Sequence, residues 1–241
     1  MGSGSKFMGS AFTGFCSGFF RVVAIAALTA ACGIAGAQAP SIPAPKVDLP
    51  LAPTPAQSKI VVAGGCFWGV EAVYEHVRGV TGAVSGYAGG TAATATYDQV
   101  SNGDTRHAES VEITYDASRV TLGQLLHVFF SVAHDPTQVD QQGPDHGPQY
   151  RSAIFFGSPD QERIASAYVA QLNAAKVFRA PIATEITKLT RFYAAETDHQ
   201  DFAARYPQHP YIRVYDAPKI QYLRSTLPKL YVERNEVPQS R

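Results

Sequence analysis

The segment around Cys66 constrains the fold more than any other part of the chain, because it changes from a strand pattern to a helix pattern within a few residues. Residues 59–63 form a β-branched run that ends at Gly64 and Gly65, which predicts a buried strand closed by a sharp turn. The residues after Cys66 repeat with helical spacing, which predicts an amphipathic helix that ends near Gly79. Its apolar positions are Val70, Val73, Tyr74 and Val77. Cys66 is therefore expected at a strand–turn–helix junction.

Strand and helix patterns alternate along the rest of the chain. The further predicted strands are residues 110–116, 150–156 and 182–189. Thr121 and Gln124 form a capping box at the start of one helix, and Pro159 after Ser158 opens another. These elements predict an α+β fold, an α/β two-layer sandwich in which helices pack on a mixed β-sheet with ferredoxin-like split βαβ elements. Intervals 80–109 and 131–149 are rich in Gly, Pro, Asp and His, and are expected to be long functional loops.

The N-terminal region is typical of an export signal. Lys6 and Arg21 precede an apolar, small-residue run that ends in Ala35-Gly36-Ala37, an A-x-A cleavage pattern. Residues 1–39 are therefore predicted to be a signal peptide, and the protein to be periplasmic or secreted. An uncleaved membrane anchor is the main alternative, and a lipoprotein modified at Cys32 is another.

The remaining boundaries follow from composition. Residues 40–57 contain six prolines and are predicted to be a Pro-rich linker. Residues 58–219 are predicted to be the catalytic domain, and residues 220–241 a C-terminal tail. Twenty basic residues balance twenty acidic ones without a basic block, so no nucleic-acid partner is expected. No membrane partner is expected unless the signal segment is retained.

Cys66 would be the single cysteine of the mature chain, since Cys16 and Cys32 lie in the predicted leader. A lone thiol in an exported protein indicates either a reactive group or a buried, inert side chain. At the first turn of a helix, unpaired amides and the helix dipole stabilise a thiolate, which favours the reactive interpretation. This placement alone does not select a reaction.

The chain also resembles the methionine sulfoxide reductase A family in a series of ordered strings. These are Gly65-Cys66-Phe67-Trp68-Gly69, Gly86-Tyr87-Ala88-Gly89-Gly90, Thr96-Tyr97, residues 103–109, His134-Asp135-Pro136, residues 145–152, residues 192–196 and Asp198-His199-Gln200. The likeness extends from about residue 60 to about residue 219. The resemblance implies a thiol-dependent reductase of methionine S-sulfoxide, free or in proteins, that repairs oxidised proteins.

The resemblance also implies a role for each matched residue. Cys66 would attack the sulfoxide sulfur, and Glu109, kept neutral by burial, would protonate the departing oxygen. Tyr97 and Tyr150 would donate hydrogen bonds to that oxygen. Without the resemblance, Glu109 would be interpreted as a solvated surface residue and the two tyrosines as core aromatics.

Four further residues would bind the substrate. Phe67 and Trp68 would enclose the S-methyl group, although both also suit the core of the helix. Asp145 would orient the methionine backbone, or else cap a loop, and His146 would support that loop.

One departure from the family pattern concerns recycling. Many members carry resolving cysteines, but residues 211–241 contain none, and neither Ser101 nor Asn102 offers a thiol. The sulfenic acid formed on Cys66 would therefore be reduced by an external thiol, from a thioredoxin-like protein or a small thiol. No bound cofactor and no metal are expected, and the protein is expected to be a monomer.

Three other functions remain open from the residues themselves. A Cys–His hydrolase would pair Cys66 with one of the histidines. A metal site would use the Asp–His pairs at 134–135, 145–146 and 198–199. A non-catalytic module that binds oxidised methionine is the third alternative.

Overall fold

The computed structural model describes residues 42–234, which are built on a six-stranded sheet. Its strands are β1 (Gln57–Gly64), β2 (Val80–Ala88), β3 (Ala108–Asp116), β6 (Ser152–Phe156), β7 (Glu185–Lys188) and β8 (Phe192–Ala194). Strands β4 (Gln141–Gln142) and β5 (Asp145–His146) form a separate hairpin. The sheet order is β7-β6-β1-β3-β2-β8, with antiparallel neighbours except for the parallel pair β6 and β7.

Within residues 42–234, six α-helices accompany the sheet. They are α1 (Phe67–Glu75), α2 (Tyr97–Val100), α3 (Leu122–Val128), α4 (Pro159–Ala175), α5 (Phe202–Arg205) and α6 (Ala217–Thr226). A π-helical turn, Phe129–Ala133, extends α3, and another, Ile212–Asp216, precedes α6. The predicted capping box of α3 is present, and so is the predicted start of α4, where Ser158 caps a helix with proline in its first turn.

The topology contains two interlocked split βαβ units. Strand β3 lies between β1 and β2, which α1 connects, and β1 lies between β3 and β6. This arrangement confirms the predicted α+β fold with a mixed sheet. The expectation that residues 80–109 form a loop was wrong over residues 80–88 and 108–109, where β2 pairs with β3, and over residues 97–100, which form α2. A smaller part of the interval 131–149 is the β4–β5 hairpin.

The apolar core lies mainly between the sheet and its helices. Ile60 and Val62 of β1 join the main cluster of buried residues on one face, together with residues of α1, α3 and α4. The alternate residues Val61 and Ala63 join a smaller cluster on the other face. Since successive side chains of a strand point to opposite faces, a strand buried on both sides has a continuous apolar sequence, as residues 60–63 do.

The Pro-rich segment before β1 is bound along the surface of the domain, and residues 42–56 are called the N-terminal strap below. The carbonyl oxygen of Ile42 accepts a hydrogen bond from His127 Nε2, 2.9 Å away, and that of Pro43 accepts one from the Tyr168 hydroxyl at 2.8 Å. Further along, Asp48 accepts hydrogen bonds from the Thr121 hydroxyl and the Gly123 amide at the start of α3. The strap therefore lies along α4 and α3 and is hydrogen-bonded to both.

The structure bears differently on the predicted boundaries at the two ends of the chain. The predicted signal peptide, with its cleavage, anchor and lipid alternatives, lies outside the described residues. At the other end, α6 extends across the predicted boundary at residue 219, and its Leu223 is fully buried. Between residues 42 and 234, every helix is too short or too polar to cross a bilayer.

Candidate active site

The turn before Cys66 requires glycine. Gly65 has a φ of +89°, a conformation that side chains disfavour, and a Cβ there would approach Gln142 Cβ to 2.7 Å. After this turn, Cys66 occupies the N-cap position of α1 and Phe67 is the first helical residue. The sulfur therefore lies at the first turn of a helix, as the sequence predicts.

The state of the Cys66 thiol differs from the sequence expectation. Burial raises the pKa of this thiol well above its usual value, and the nearby carboxyl groups of Glu109 and Asp216 raise it further. The Trp68 amide at the helix start lowers the pKa, but its effect is smaller. The first-turn amide of Phe67 is bonded to Glu109 instead. Cys66 is therefore a protonated thiol at neutral pH in the free protein.

Glu109 lies on β3 beneath the start of α1. It is only 2% exposed, and its Oε2 accepts the hydrogen bond from the Phe67 amide at 3.0 Å. Burial raises the pKa of this carboxyl to about 8, against the opposing effect of that hydrogen bond and with a smaller contribution from Asp145. Most Glu109 side chains consequently carry a proton at pH 7 and are able to donate it.

An aromatic cluster forms one wall beside the sulfur. Trp68 stacks on Phe202 with ring centroids 3.8 Å apart and on His199 at 5.9 Å. Phe67 is fully buried and lies 5.5 Å from the His199 ring and 5.9 Å from Tyr87. Trp68 is partly exposed, so it lines the surface while Phe67 belongs mainly to the core.

The two predicted tyrosines come from different loops. Tyr97 begins α2, stacks on His199 at 4.2 Å, and donates its amide to Glu196 Oε1 at 2.9 Å. Tyr150 ends the 3₁₀ turn Pro148–Tyr150 that follows the β4–β5 hairpin. The pKa of each hydroxyl is raised, first by burial and then by the charge of Glu109, with a further contribution from Cys66. Both hydroxyls therefore remain protonated donors within electrostatic range of the sulfur and the acid.

Asp145 joins the site through a residue that the sequence analysis did not select. The Tyr211 hydroxyl donates a short hydrogen bond to Asp145 Oδ2. The pKa of Tyr211 is raised by burial and by the charges of Cys66 and Asp145, which places this tyrosine at the same centre. His146, in contrast, pairs with Gln141 in the hairpin and is exposed, so the structure does not bring it into the cluster.

Glu196 and His199 belong to the strings that resemble the family, but the sequence assigns neither a role; the structure shows what each contacts. Glu196 accepts hydrogen bonds from the Tyr97 amide and the Tyr87 hydroxyl. His199 Nδ1 accepts a hydrogen bond from Trp68 Nε1 at 3.3 Å. These two residues hold the aromatic wall and Tyr97 together. Tyr211 lies in a segment where no local pattern marked it.

The structure does not support the hydrolase and metal alternatives in the part of the chain it describes. His134 is partly buried against Phe129 and its Nε2 lies 2.7 Å from the Ser152 hydroxyl, while His199 bonds to Trp68. Within residues 42–234, no three side chains of His, Cys, Asp or Glu are grouped to hold a metal ion.

A protonated thiol beside a neutral, buried carboxylic acid and an aromatic wall defines a cysteine enzyme in which sulfur attack is coupled to proton donation. Residues 58–230 match the family model described as peptide methionine sulfoxide reductase, and the chain belongs to that family. It is accordingly an oxidoreductase that acts on methionine sulfoxide.

Known relatives extend over most of the domain. The chain is 54% identical over 185 residues to the peptide methionine sulfoxide reductase MsrA 2 of Synechocystis, covering 76% of this chain and 86% of that protein. It is 53% identical over 180 residues to the MsrA 2 of Mesorhizobium japonicum, covering 75% and 92%. Among solved structures, Mxr1 of Saccharomyces cerevisiae in its reduced form superposes with a TM-score of 0.59 at 31% identity, covering 68% of this chain and 92% of the other. Methionine sulfoxide reductase A of Corynebacterium diphtheriae gives 0.55 at 36% identity, covering 65% and 78%.

Proposed function

We propose that this protein reduces the S epimer of methionine sulfoxide to methionine, with Cys66 as nucleophile and external thiols as the reductant. The observation that carries the proposal is the neutral, buried Glu109 carboxyl that accepts the Phe67 amide directly beside Cys66. A departing sulfoxide oxygen needs a proton, and a carboxylic acid with a pKa of about 8 supplies one at neutral pH.

The proposed step balances without any further reactant. The Cys66 sulfur attacks the sulfoxide sulfur, and Glu109 protonates the sulfoxide oxygen as the S–O bond to the substrate weakens. The oxygen is transferred to Cys66, giving a sulfenic acid and a thioether, and the thiol proton restores Glu109. The substrate sulfur gains two electrons and Cys66 loses two.

The surrounding groups support this charge shift. The hydroxyls of Tyr97 and Tyr150 donate hydrogen bonds to the sulfoxide oxygen while negative charge develops there. Trp68, with Phe67 behind it, contacts the S-methyl group, and Asp145, held by Tyr211, orients the methionine backbone.

External thiols complete the cycle. Cys66 is the only cysteine among residues 42–234, so no partner for an internal disulfide lies in this region. A first thiol displaces water from the sulfenic acid and forms a mixed disulfide, and a second thiol releases Cys66. A thioredoxin-like protein or a small thiol is the reductant class that this chemistry requires.

The setting is also part of the proposal. The basic, apolar and small-residue pattern of residues 1–39 supports export to the periplasm or secretion, with membrane anchoring as the alternative. There the enzyme would act as a monomer on oxidised methionine, free or in proteins, to repair oxidised chains.

A single-turnover experiment tests this function and excludes a module that only binds oxidised methionine. The chain from residue 40 onward, with one equivalent of methionine S-sulfoxide and no reductant, should release about one methionine per chain. A 1,3-dione probe should then label Cys66, and a non-reducing gel should show no internal cross-link.

Two controls complete the experiment. Cys66→Ser should release no methionine, because a hydroxyl is a poor nucleophile toward sulfur, and methionine R-sulfoxide should be left unreduced. Full activity in the serine variant would refute the assignment. In the chain that retains its first 39 residues, a Cys32–Cys66 disulfide would refute the single-cysteine cycle but not the reductase function.

A further inference from the structure

Asp216 is a buried carboxyl group for which the reaction above has no role. It ends the π-helical turn before α6, is 1% exposed, and places Oδ1 3.2 Å from the Lys219 ammonium. Its Oδ2 is buried without a hydrogen-bond partner in residues 42–234. Burying a carboxyl oxygen without a hydrogen-bond partner lowers the folding free energy gained, which points to a role for Asp216 beyond packing.

The position of Asp216 explains a glycine in α1. Gly69 is the third residue of that helix, in its first turn, and a Cβ built there would overlap Asp216 Oδ1 and lie 2.8 Å from Lys219 Nζ. The carboxyl and its lysine therefore occupy the space where a side chain of α1 would be. This seats the pair on the same helical turn that carries Cys66 at its N-cap.

Charged and titratable groups face Cys66 from several elements. They are Glu109 on β3, Asp145 on β5, the Asp216–Lys219 pair at the start of α6, and the hydroxyls of Tyr97, Tyr150 and Tyr211. Glu109 is mostly neutral at pH 7. After burial and Glu109, the charge of Asp216 is the next cause that raises the pKa of Cys66, ahead of Asp145.

The proposed function makes Cys66 the only cysteine available for chemistry within residues 42–234, and this inference rests on that function. We propose that Asp216 is a positioning residue, whose carboxylate, packed against Gly69 and paired with Lys219, adds to the effect of burial in favouring the thiol form of the resting Cys66. Burial raises the pKa of the Asp216 carboxyl, and the charge and hydrogen bond of Lys219 oppose that rise, which favours an ionised carboxylate near the sulfur. Peroxide oxidises a thiol far more slowly than a thiolate. This matters most for a cysteine without a resolving partner, because no second thiol in this region of the chain converts its sulfenic acid to a disulfide before irreversible oxidation.

The pH dependence of Cys66 alkylation by iodoacetamide tests this role without any sulfoxide. In Asp216→Asn, a near-isosteric change, the midpoint should move to lower pH by about one unit. Alkylation below both midpoints should then be about tenfold faster. In Lys219→Met, where the carboxylate loses its counter-charge, the midpoint should move to higher pH.

A matched control is available on α4. Asp160 pairs with Arg163 three residues on, as Asp216 pairs with Lys219, but the side chains of Asp160 and Arg163 are both exposed. Asp160→Asn should leave the midpoint unchanged. Intact-mass measurement after hydrogen peroxide should show faster sulfinic acid formation on Cys66 in Asp216→Asn than in the wild type or in the control.

The outcomes separate this role from mere packing and from the proposed function. A packing role would lower thermal stability in both Asp216→Asn and Lys219→Met without moving the midpoints in opposite directions, and that result would overturn the inference. If Asp216→Asn does not fold, an unmoved midpoint in Lys219→Met would overturn it equally. If the wild type fails to reduce sulfoxide while the midpoints still shift, the proposed function is wrong and the coupling between Asp216 and Cys66 stands.

Discussion

Replacing Glu109 by Gln removes the proton of the proposed acid and leaves its other contact in place. The side chain is 2% exposed and accepts the Phe67 amide at 3.0 Å, and a glutamine oxygen can accept the same hydrogen bond. With a pKa of about 8, about nine-tenths of Glu109 is protonated at pH 7. The variant should therefore fold while losing proton donation.

The expected loss follows from the usual contribution of a positioned general acid. Sulfoxide reduction should slow by about 10²–10⁴-fold, which corresponds to roughly 3–5 kcal/mol of activation free energy. Alkylation of Cys66 at pH 7 should change far less, because Glu109 is mostly neutral there and contributes little charge. Wild-type reduction should also fall as the pH rises through about 8, where Glu109 loses its proton, and this limb should be missing in the variant.

The assay is single-turnover release of methionine between pH 6 and 9, run in parallel with iodoacetamide alkylation. Glu112→Gln is the matched control, since Glu112 lies on the same strand but pairs with the exposed Lys59 at 2.7 Å. Reduction and alkylation that slow equally in Glu109→Gln would show that Glu109 tunes or positions Cys66, and its role as proton donor would be wrong.

Two further predictions concern stability. Burial raises the pKa of Glu71 from 4.5 to about 8, so the folded state keeps a proton that the unfolded state releases between these values. Its contribution to stability therefore falls as the pH rises from about 4.5 to 8. Glu71→Gln should flatten this slope in urea unfolding at pH 5, 7 and 9; an unchanged slope would contradict the pKa assigned to Glu71. Asp48→Ala removes the contact of the N-terminal strap with the start of α3 and should lower the unfolding free energy by about 1–2 kcal/mol, with activity per folded molecule unchanged. Equal stability of this variant and the wild type would show that the strap adds nothing to the fold.

The sequence predicted the elements whose signals are local. The change of period at Cys66 located β1 and α1, and the start signals at Thr121 and Ser158 located α3 and α4. Strand β2 was missed because VTGAVSGYA has glycine and serine where strands usually carry bulky residues. Gly86 is needed there because Tyr193 and Phe192 of the neighbouring β8 occupy the space of a side chain.

The site could be predicted only where residues lie in recognisable strings. Cys66 and Glu109 belong to such strings, and the structure brings them together through the Phe67 amide. Tyr211 and Asp216 lie at the site because the C-terminal part of the chain packs near α1. No local period in the sequence indicates this long-range contact. The protonated state of Cys66 was missed for a related reason: burial depends on the whole fold, whereas the helix N-terminus is visible in the sequence.

The N-terminal strap also changes what a truncation before β1 would remove. The Ile42 and Pro43 carbonyls are hydrogen-bonded to His127 of α3 and Tyr168 of α4, and Asp48 is bonded to the start of α3. Residues 42–56 are therefore a bound segment that covers parts of two helices. A chain that begins at β1 would expose those parts of α3 and α4 to water, whereas a chain that begins at residue 42 would keep them covered.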